Sequence, residues 1–263
     1  QLTSAASASL TANLAFTTID LTQGATTEAV TLATGYTATT TFKIDSGDDI
    51  TNTAADATIT VEASASHLEA ADNTLLAGSD KAGVINTLVI TNDSAATVDM
   101  QTDISNFDVV TIKDNTVTAG VDITLDLTSY ASIVDINASE LDFGEDVTIT
   151  GASAAAITYT GGGGVDTVVL SSGKNDTITL GSGKDVITGG TNITYEDTID
   201  AGDGVDTMTA TSLNDIDLKA VSNLENLTID NTSTLGAFAS AAGVVQVTVT
   251  GGDSITSSGM TTG

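Results

Sequence analysis

Short alternations of apolar residues with Thr or Asp recur along most of this chain. Examples are Thr58-Ile-Thr-Val61, Thr87-Leu-Val-Ile-Thr91, Val109-Val-Thr-Ile112, Val121-Asp-Ile-Thr-Leu-Asp-Leu127, Asp146-Val-Thr-Ile-Thr150 and Val244-Val-Gln-Val-Thr-Val-Thr250. A period of two in β-branched residues predicts half-buried strands. Gly, Asn, Asp and Ser separate them, and that density of short strands suits a solenoid or a sandwich. Residues 1–62 are rich in Thr, Ala and Ser and more weakly patterned, though Leu10, Leu14, Phe16, Ile19 and Leu21 suggest strands. One segment reads as helix, near 66–77. Ser66-His-Leu-Glu69 has capping-box spacing, Leu68, Ala71 and Leu75 share a face, and Gly78 is a stop. The chain divides into a Thr/Ala-rich β region over 1–82 and a β-solenoid over 83–263.

A long internal repeat favours the solenoid. Asp103-Ile-Ser-Asn-Phe-Asp-Val-Val-Thr-Ile-Lys-Asp-Asn115 matches Lys219-Ala-Val-Ser-Asn-Leu-Glu-Asn-Leu-Thr-Ile-Asp-Asn231 in the pattern S-N-[FL]-[DE]-x-[VL]-T-I, followed in both by D-N, one residue sooner in the second. Each copy follows a strand that opens with Asn86-Thr87 or Asp206-Thr207 by about twenty residues. Self-similarity of this kind is what stacked coils produce.

A shorter repeat occupies 161–209. Gly161-Gly-Gly-Gly-Val-Asp-Thr-Val-Val169 fits G-G-x-G-x-D-x-U-x, where U is a large apolar residue. Gly181-Ser-Gly-Lys-Asp-Val-Ile-Thr188 and Gly202-Asp-Gly-Val-Asp-Thr-Met-Thr209 fit all but the first glycine. Looser copies lie between them at Gly173-Lys-Asn-Asp-Thr-Ile-Thr179 and Tyr195-Glu-Asp-Thr-Ile-Asp200. Asp166, Asp176, Asp185, Asp197 and Asp206 are spaced 10, 9, 12 and 9. This grammar is the signature of calcium-binding nonapeptide β-helices.

Composition narrows the partners. The chain has 35 acidic residues, six lysines and no arginine, for a formal charge of −29. Nucleic acid needs a basic footprint that is missing here. So dense an acidic surface repels itself unless cations compensate. Yet 40% of residues are hydrophobic, too many for an acidic tail. Aromatics make up 3%, so the core must be built in thin layers of Val, Ile, Leu and Ala. Without cysteine there are no disulfides or thiolate metal sites. No run is long and apolar enough to span a bilayer, and no leader pattern opens the chain. The last residues still read as turn and strand, as in a piece of a longer protein.

Each nonad splits into a turn and a strand. The turn aims backbone carbonyls inward and adds a carboxylate. Calcium takes six to eight oxygen ligands, more than one such turn provides but within reach of two stacked turns. The apolar residues Val168, Ile178, Ile187, Ile199 and Met208 would point into the core. If two nonads form one coil, Asp166, Asp185 and Asp206 share a row, and Asp176 and Asp197 fall on the other side. The candidate ligands of the first row come from Gly162, Gly164, Asp166, Gly181, Gly183, Asp185, Gly202, Asp203, Gly204 and Asp206. Those of the second come from Gly173, Asn175, Asp176 and Asp197. The 173–176 copy has one residue too many, and the half ending at Asp197 lacks glycine, so this side is expected to bind weakly or not at all. The competing reading is that the glycines mark plain tight turns of a metal-free solenoid.

These repeats resemble the RTX (repeats-in-toxin) family of secreted calcium-binding proteins, over under a fifth of the chain. The proline-free, arginine-free, Thr/Ala-rich remainder resembles RTX-bearing surface-layer proteins of Gram-negative bacteria. The resemblance implies a calcium-loaded parallel β-helix or β-roll, secretion by a type I system and residence on the bacterial cell surface. It also implies assembly with copies of itself into a lattice or filament, with cell-surface polysaccharide as a further candidate partner. Membrane insertion and nucleic acid are not expected. The alternative is a module of a large RTX adhesin that binds a host surface or glycan. An enzyme is not expected: one histidine and no arginine leave little for a polysaccharide lyase or epimerase. His67 reads as a surface residue, and Asp45-Ser-Gly-Asp-Asp49 as a solvated turn in preference to another calcium loop.

Overall fold

The computed structural model describes residues 8–10, 16–22, 28–45, 47–54, 56–68, 75–76, 84–99, 104–114, 122–128, 132–133, 135–142, 144–151, 153–251, 254–257 and 259. The chain is all-β, a parallel β-solenoid of about 9 turns. A 10-stranded sheet, the spine, runs in chain order from Thr18–Asp20 to Val221–Ser222. Two further sheets pair with it in succession to enclose one core. A 5-stranded sheet contains Ala8–Leu10, Ala29–Leu32, Asp49–Asn52, Leu75–Leu76 and Ile104–Ser105. An 8-stranded sheet then runs from Ala96–Asp99 to Gln246–Val249. The spine crosses the 82/83 division without a break, since Ile59–Ser64 pairs with Thr87–Asn92. What changes near that division is the opposing sheet.

Coil length is set by residues that stack in register. Thr148 pairs with Thr167 and Thr167 with Val186, so each step is 19 residues, while Val186 to Thr207 takes 21. Parallel strands of this kind are joined through the turns, one strand spacing of about 4.8 Å per coil. Alternation decides what lies inside. Val147, Ile149, Val168, Ile187, Met208 and Leu227 are fully buried on the 8-stranded sheet, and Ile178 and Ile199 on the spine. Burying each such side chain contributes about 1.5–3 kcal/mol. The outward positions of the same strands form columns, Thr148–Thr167–Val186–Thr207–Asn226 and Val169–Thr188–Thr209–Thr228. Neither column contains a charged residue, although the chain carries −29.

The helix near 66–77 is shorter than its pattern suggests. Ala65–Leu68 is helical and packs against Ala96–Asp99, where the 8-stranded sheet begins. Leu75–Leu76 is instead a strand, paired with Ile50–Thr51 and Ile104–Ser105. Burial of Leu75 between neighbouring coils overrides its helical spacing. Ala71 and Gly78 lie outside the described residues, as does Leu14. A second helix, Ala237–Ala242, ends on Gly243 in the left-handed conformation.

The long S-N-[FL]-[DE] repeat also has a structural reason. Its two copies lie on different sheets, Val109–Asp114 on the spine and Asn226–Ile229 on the 8-stranded sheet. In both, the asparagine turns the chain with positive φ, 62° at Asn106 and 57° at Asn223. Asn tolerates that region better than other residues with a Cβ. The next residue, Phe107 or Leu224, is fully buried. The acid after it reaches back one coil: Asp108 Oδ2 accepts the Asn86 N–H at 2.7 Å, and Glu225 Oε2 accepts the Asp206 N–H at 2.9 Å.

Candidate metal centre

The turns before the strands of the 8-stranded sheet stack Gly162–Gly164, Gly181–Gly183 and Gly202–Gly204 above one another. Ser182 N–H donates to the Gly162 carbonyl at 3.0 Å, and Asp203 N–H to the Gly181 carbonyl at 2.7 Å. Ser182–Gly183 and Asp203–Gly204 pair as a small parallel sheet of their own. The approach is so close that a Cβ on Gly202 would collide with the Gly181 carbonyl, and Gly202 also has φ +91°. Only glycine meets both requirements.

Asp166, Asp185 and Asp206 follow these turns and form one buried row. Each uses Oδ1 to hold the previous coil. Val147 N–H donates to Asp166 at 3.2 Å, Asp166 N–H to Asp185 at 2.7 Å, and Asp185 N–H to Asp206 at 2.8 Å. Each leaves Oδ2 buried with no hydrogen-bond partner. The Tyr159 hydroxyl, also buried, faces Asp166 from the spine; it and the Gly162 N–H are too loosely placed for full hydrogen bonds, yet both favour the charged carboxylate. Asp203 is exposed, and its charge bears on Asp206.

Electrostatics follows from burial. Burial pushes the Asp166 carboxyl up to about 7; the Val147 N–H opposes this and the Asp185 charge reinforces it. Burial likewise pushes Asp185 up to about 6, opposed by the Asp166 N–H and reinforced by the charges of Asp206 and Asp146. Asp206 is raised by burial too, with Glu225 and Asp203 adding to it. The row is therefore a set of carboxyls held out of water without enough donors, each costly to ionise.

The other side of the solenoid is built differently. Asp176 Oδ1 accepts the Ile157 N–H at 2.9 Å and Oδ2 the Ser171 N–H at 2.6 Å. Asp197 Oδ1 accepts the Asp176 N–H at 2.8 Å and Oδ2 the Thr194 N–H at 2.7 Å. Both carboxylates thus cap their own turn and the coil before, with every oxygen engaged. Gly173 and Asn175 sit in the exposed turn before Asp176, and Gly173 has φ +62°.

Buried carboxylate oxygens without a donor recur on successive coils, beside glycine turns rich in backbone carbonyls. Oxygen donors of this kind suit a hard divalent cation such as calcium, but Asp166, Asp185 and Asp206 do not converge on one point, so any ion would sit between neighbouring coils and not on all three at once. Outside the nonads, Glu225 extends the row: it stands just before Asn226–Ile229, level with Asp206, and its Oε2 accepts the Asp206 N–H. Asp146 lies one residue out of register with the row and flanks it, its Oδ1 accepting the Val165 N–H at 2.6 Å. The turn at 45–49, expected to be solvated, instead contains a fully buried Asp48.

These features define a parallel β-solenoid with an acidic ladder along one side. Compared with family models, curated proteins and solved structures, the chain matches none.

Proposed function

We propose that the protein is a calcium-stapled structural solenoid of the bacterial cell surface that assembles with its own copies into a layer or filament. The observation that carries this reading is the Asp166–Asp185–Asp206 row, each with one buried oxygen lacking a donor. A cation between coils supplies the missing partner and offsets the repulsion within the row. At millimolar calcium, sites with extracellular-type affinity contribute about 1 kcal/mol or more each. The fold then tightens outside the cell, where calcium is plentiful. Assembly is supported by the uncharged Thr and Val columns over 148–228 of the 8-stranded sheet, where two molecules of charge −29 can approach without acids between them, in contrast to Asp99 and Asp126 in the first strands of that sheet. Catalysis has no part in the reading.

The test is chelation. In excess EGTA, β-sheet circular dichroism should fall and ordered assemblies seen by electron microscopy should disperse, both returning with calcium. Unchanged spectra and intact assemblies would sink the proposal.

A further inference from the structure

A second carboxylate cluster lies far from the glycine repeats, in the first coils. Glu28 precedes Ala29–Leu32 and Asp48 precedes Asp49–Asn52, strands paired in register from Ala29↔Asp49. Their backbone relation repeats that of the aspartate row. Glu28 N–H donates to Asp48 Oδ1 at 3.0 Å, as Asp166 N–H does to Asp185 Oδ1 at 2.7 Å. Asp49 N–H donates to the Glu28 carbonyl at 2.8 Å, as Val186 N–H does to that of Asp166 at 2.8 Å. The ladder geometry therefore recurs on a different sheet and without the glycine turns.

The side chains gather more tightly here. Oxygens of Glu28, Asp45 and Asp48 all lie within 4.8 Å of one another, the one such group of three among the described residues. Asp48 is fully buried, and its Oδ2 accepts the Asp45 N–H at 2.9 Å. Glu28 is 1% exposed, and neither of its carboxylate oxygens has a hydrogen-bond partner. Asp45 is only partly buried and gives the cluster an opening to solvent. A buried carboxylate with both oxygens unengaged, aimed at two further carboxylates, is costly unless a cation joins them. Three donor atoms no more than 4.8 Å apart lie close to the spacing at which one ion meets all of them at about 2.3–2.6 Å, and a small side-chain shift closes the rest.

We propose that Glu28, Asp45 and Asp48 hold one hard divalent cation of the calcium class, which staples the coil at 29–32 to the coil at 49–52. With oxygen donors alone, the site favours calcium over softer metals. The ion is independent of the glycine-turn row, so it can be present whether or not that row binds.

Calcium stoichiometry by equilibrium dialysis, with hydrogen exchange read at 29–32 and 49–52, tests this on the full chain. Calcium should slow exchange in both strands. Glu28→Gln should abolish that protection and lose one equivalent of calcium, while Asp185→Asn leaves the protection intact. Asp45→Asn, at the open side, should weaken the same protection several-fold and decides the matter if the Glu28 variant fails to fold. Protection of these strands that survives Asp45→Asn undiminished, or none in the native chain at millimolar calcium, overturns the site. Failure of the glycine-turn row would show separately, as no loss of calcium in Asp185→Asn.

Discussion

Two rows of aspartates, on opposite sides of one solenoid and from neighbouring copies of one motif, are put to different uses. Asp176 and Asp197 spend both oxygens on backbone N–H groups and behave as turn caps. Asp166, Asp185 and Asp206 spend one oxygen on the ladder and leave the other buried without a donor. The motif letter is the same. What differs is the turn before it. Where Gly181–Gly183 and Gly202–Gly204 bring backbone onto backbone, no N–H of the same turn reaches Oδ2. Where Thr194 stands three residues before Asp197, its N–H does. Glycine spacing thus separates aspartates that close a turn from those that keep an oxygen buried without a full hydrogen bond.

The largest effect should come from filling the tight turns. Gly202→Val places a Cβ against the Gly181 carbonyl and forces a β-branched residue to φ +91°. The left-handed backbone alone costs about 1–3 kcal/mol, and the collision adds to it. Urea unfolding should show a loss beyond that range, and an unchanged midpoint would mean that the turns are not tightly stacked.

Next come the two rows themselves, where the signs should differ. Asp197→Ala leaves the Asp176 and Thr194 N–H groups without their acceptor, at about 1–3 kcal/mol per buried group. It should destabilise the protein equally with and without calcium. Asp185→Asn keeps an oxygen for the Asp166 N–H and removes a buried charge. It should stabilise the calcium-free protein and weaken calcium binding more than Asp197→Ala does. Isothermal titration showing the reverse order would erase the distinction between the rows.

Acidity gives a further test. Asp166 and Asp185 have folded-state values of about 7 and about 6 against an ordinary 3.8. A carboxyl whose value is raised on folding favours the folded state most when protonated. In EGTA, stability should be greatest below pH 4 from these groups and decline as pH rises through 6 and 7. Calcium affinity should rise over the same window, as protons cease to compete. A flat profile in EGTA between pH 4 and 8 would contradict the burial of the row.

The smallest effect is expected at Tyr159. Its hydroxyl is buried, unpartnered and turned towards Asp166. Tyr159→Phe removes a polar group that gains no full hydrogen bond, so stability should change by less than about 1 kcal/mol. A larger loss would show that the hydroxyl serves as the missing donor for Asp166.

Much of this fold was legible in the residues. Alternation of Val and Ile with Thr fixes which side of each strand is buried, and the steps of 9 to 12 residues between aspartates place alternate copies on opposite sides. Three features were not legible. Leu75 has helical spacing with Leu68, but its pairing with Ile50 and Ile104 is a contact between coils that no local pattern reveals. Asp48 sits among polar turn residues, and its burial depends on Glu28, 20 residues away. The ladder through which each carboxylate holds the preceding coil is likewise non-local. Its trace is an acid just before a Thr-containing strand, a pattern common in any acidic β protein. The S-N-[FL]-[DE] repeat was visible as a repeat, but its cause, an asparagine in the left-handed region before a buried apolar residue, needs the backbone.

The constant register of Thr167 on Val186 and of Val186 on Thr207 has a consequence for how such a chain can change over generations. A duplicated coil would enter with its core residue, outward threonine and ladder acid already in column. It would meet the same neighbours above and below that the original met. The molecule would lengthen by about 4.8 Å without any existing contact being redesigned. Length is thus a trait that this architecture lets heredity adjust in whole steps, while a substitution within a coil must satisfy both of its neighbours.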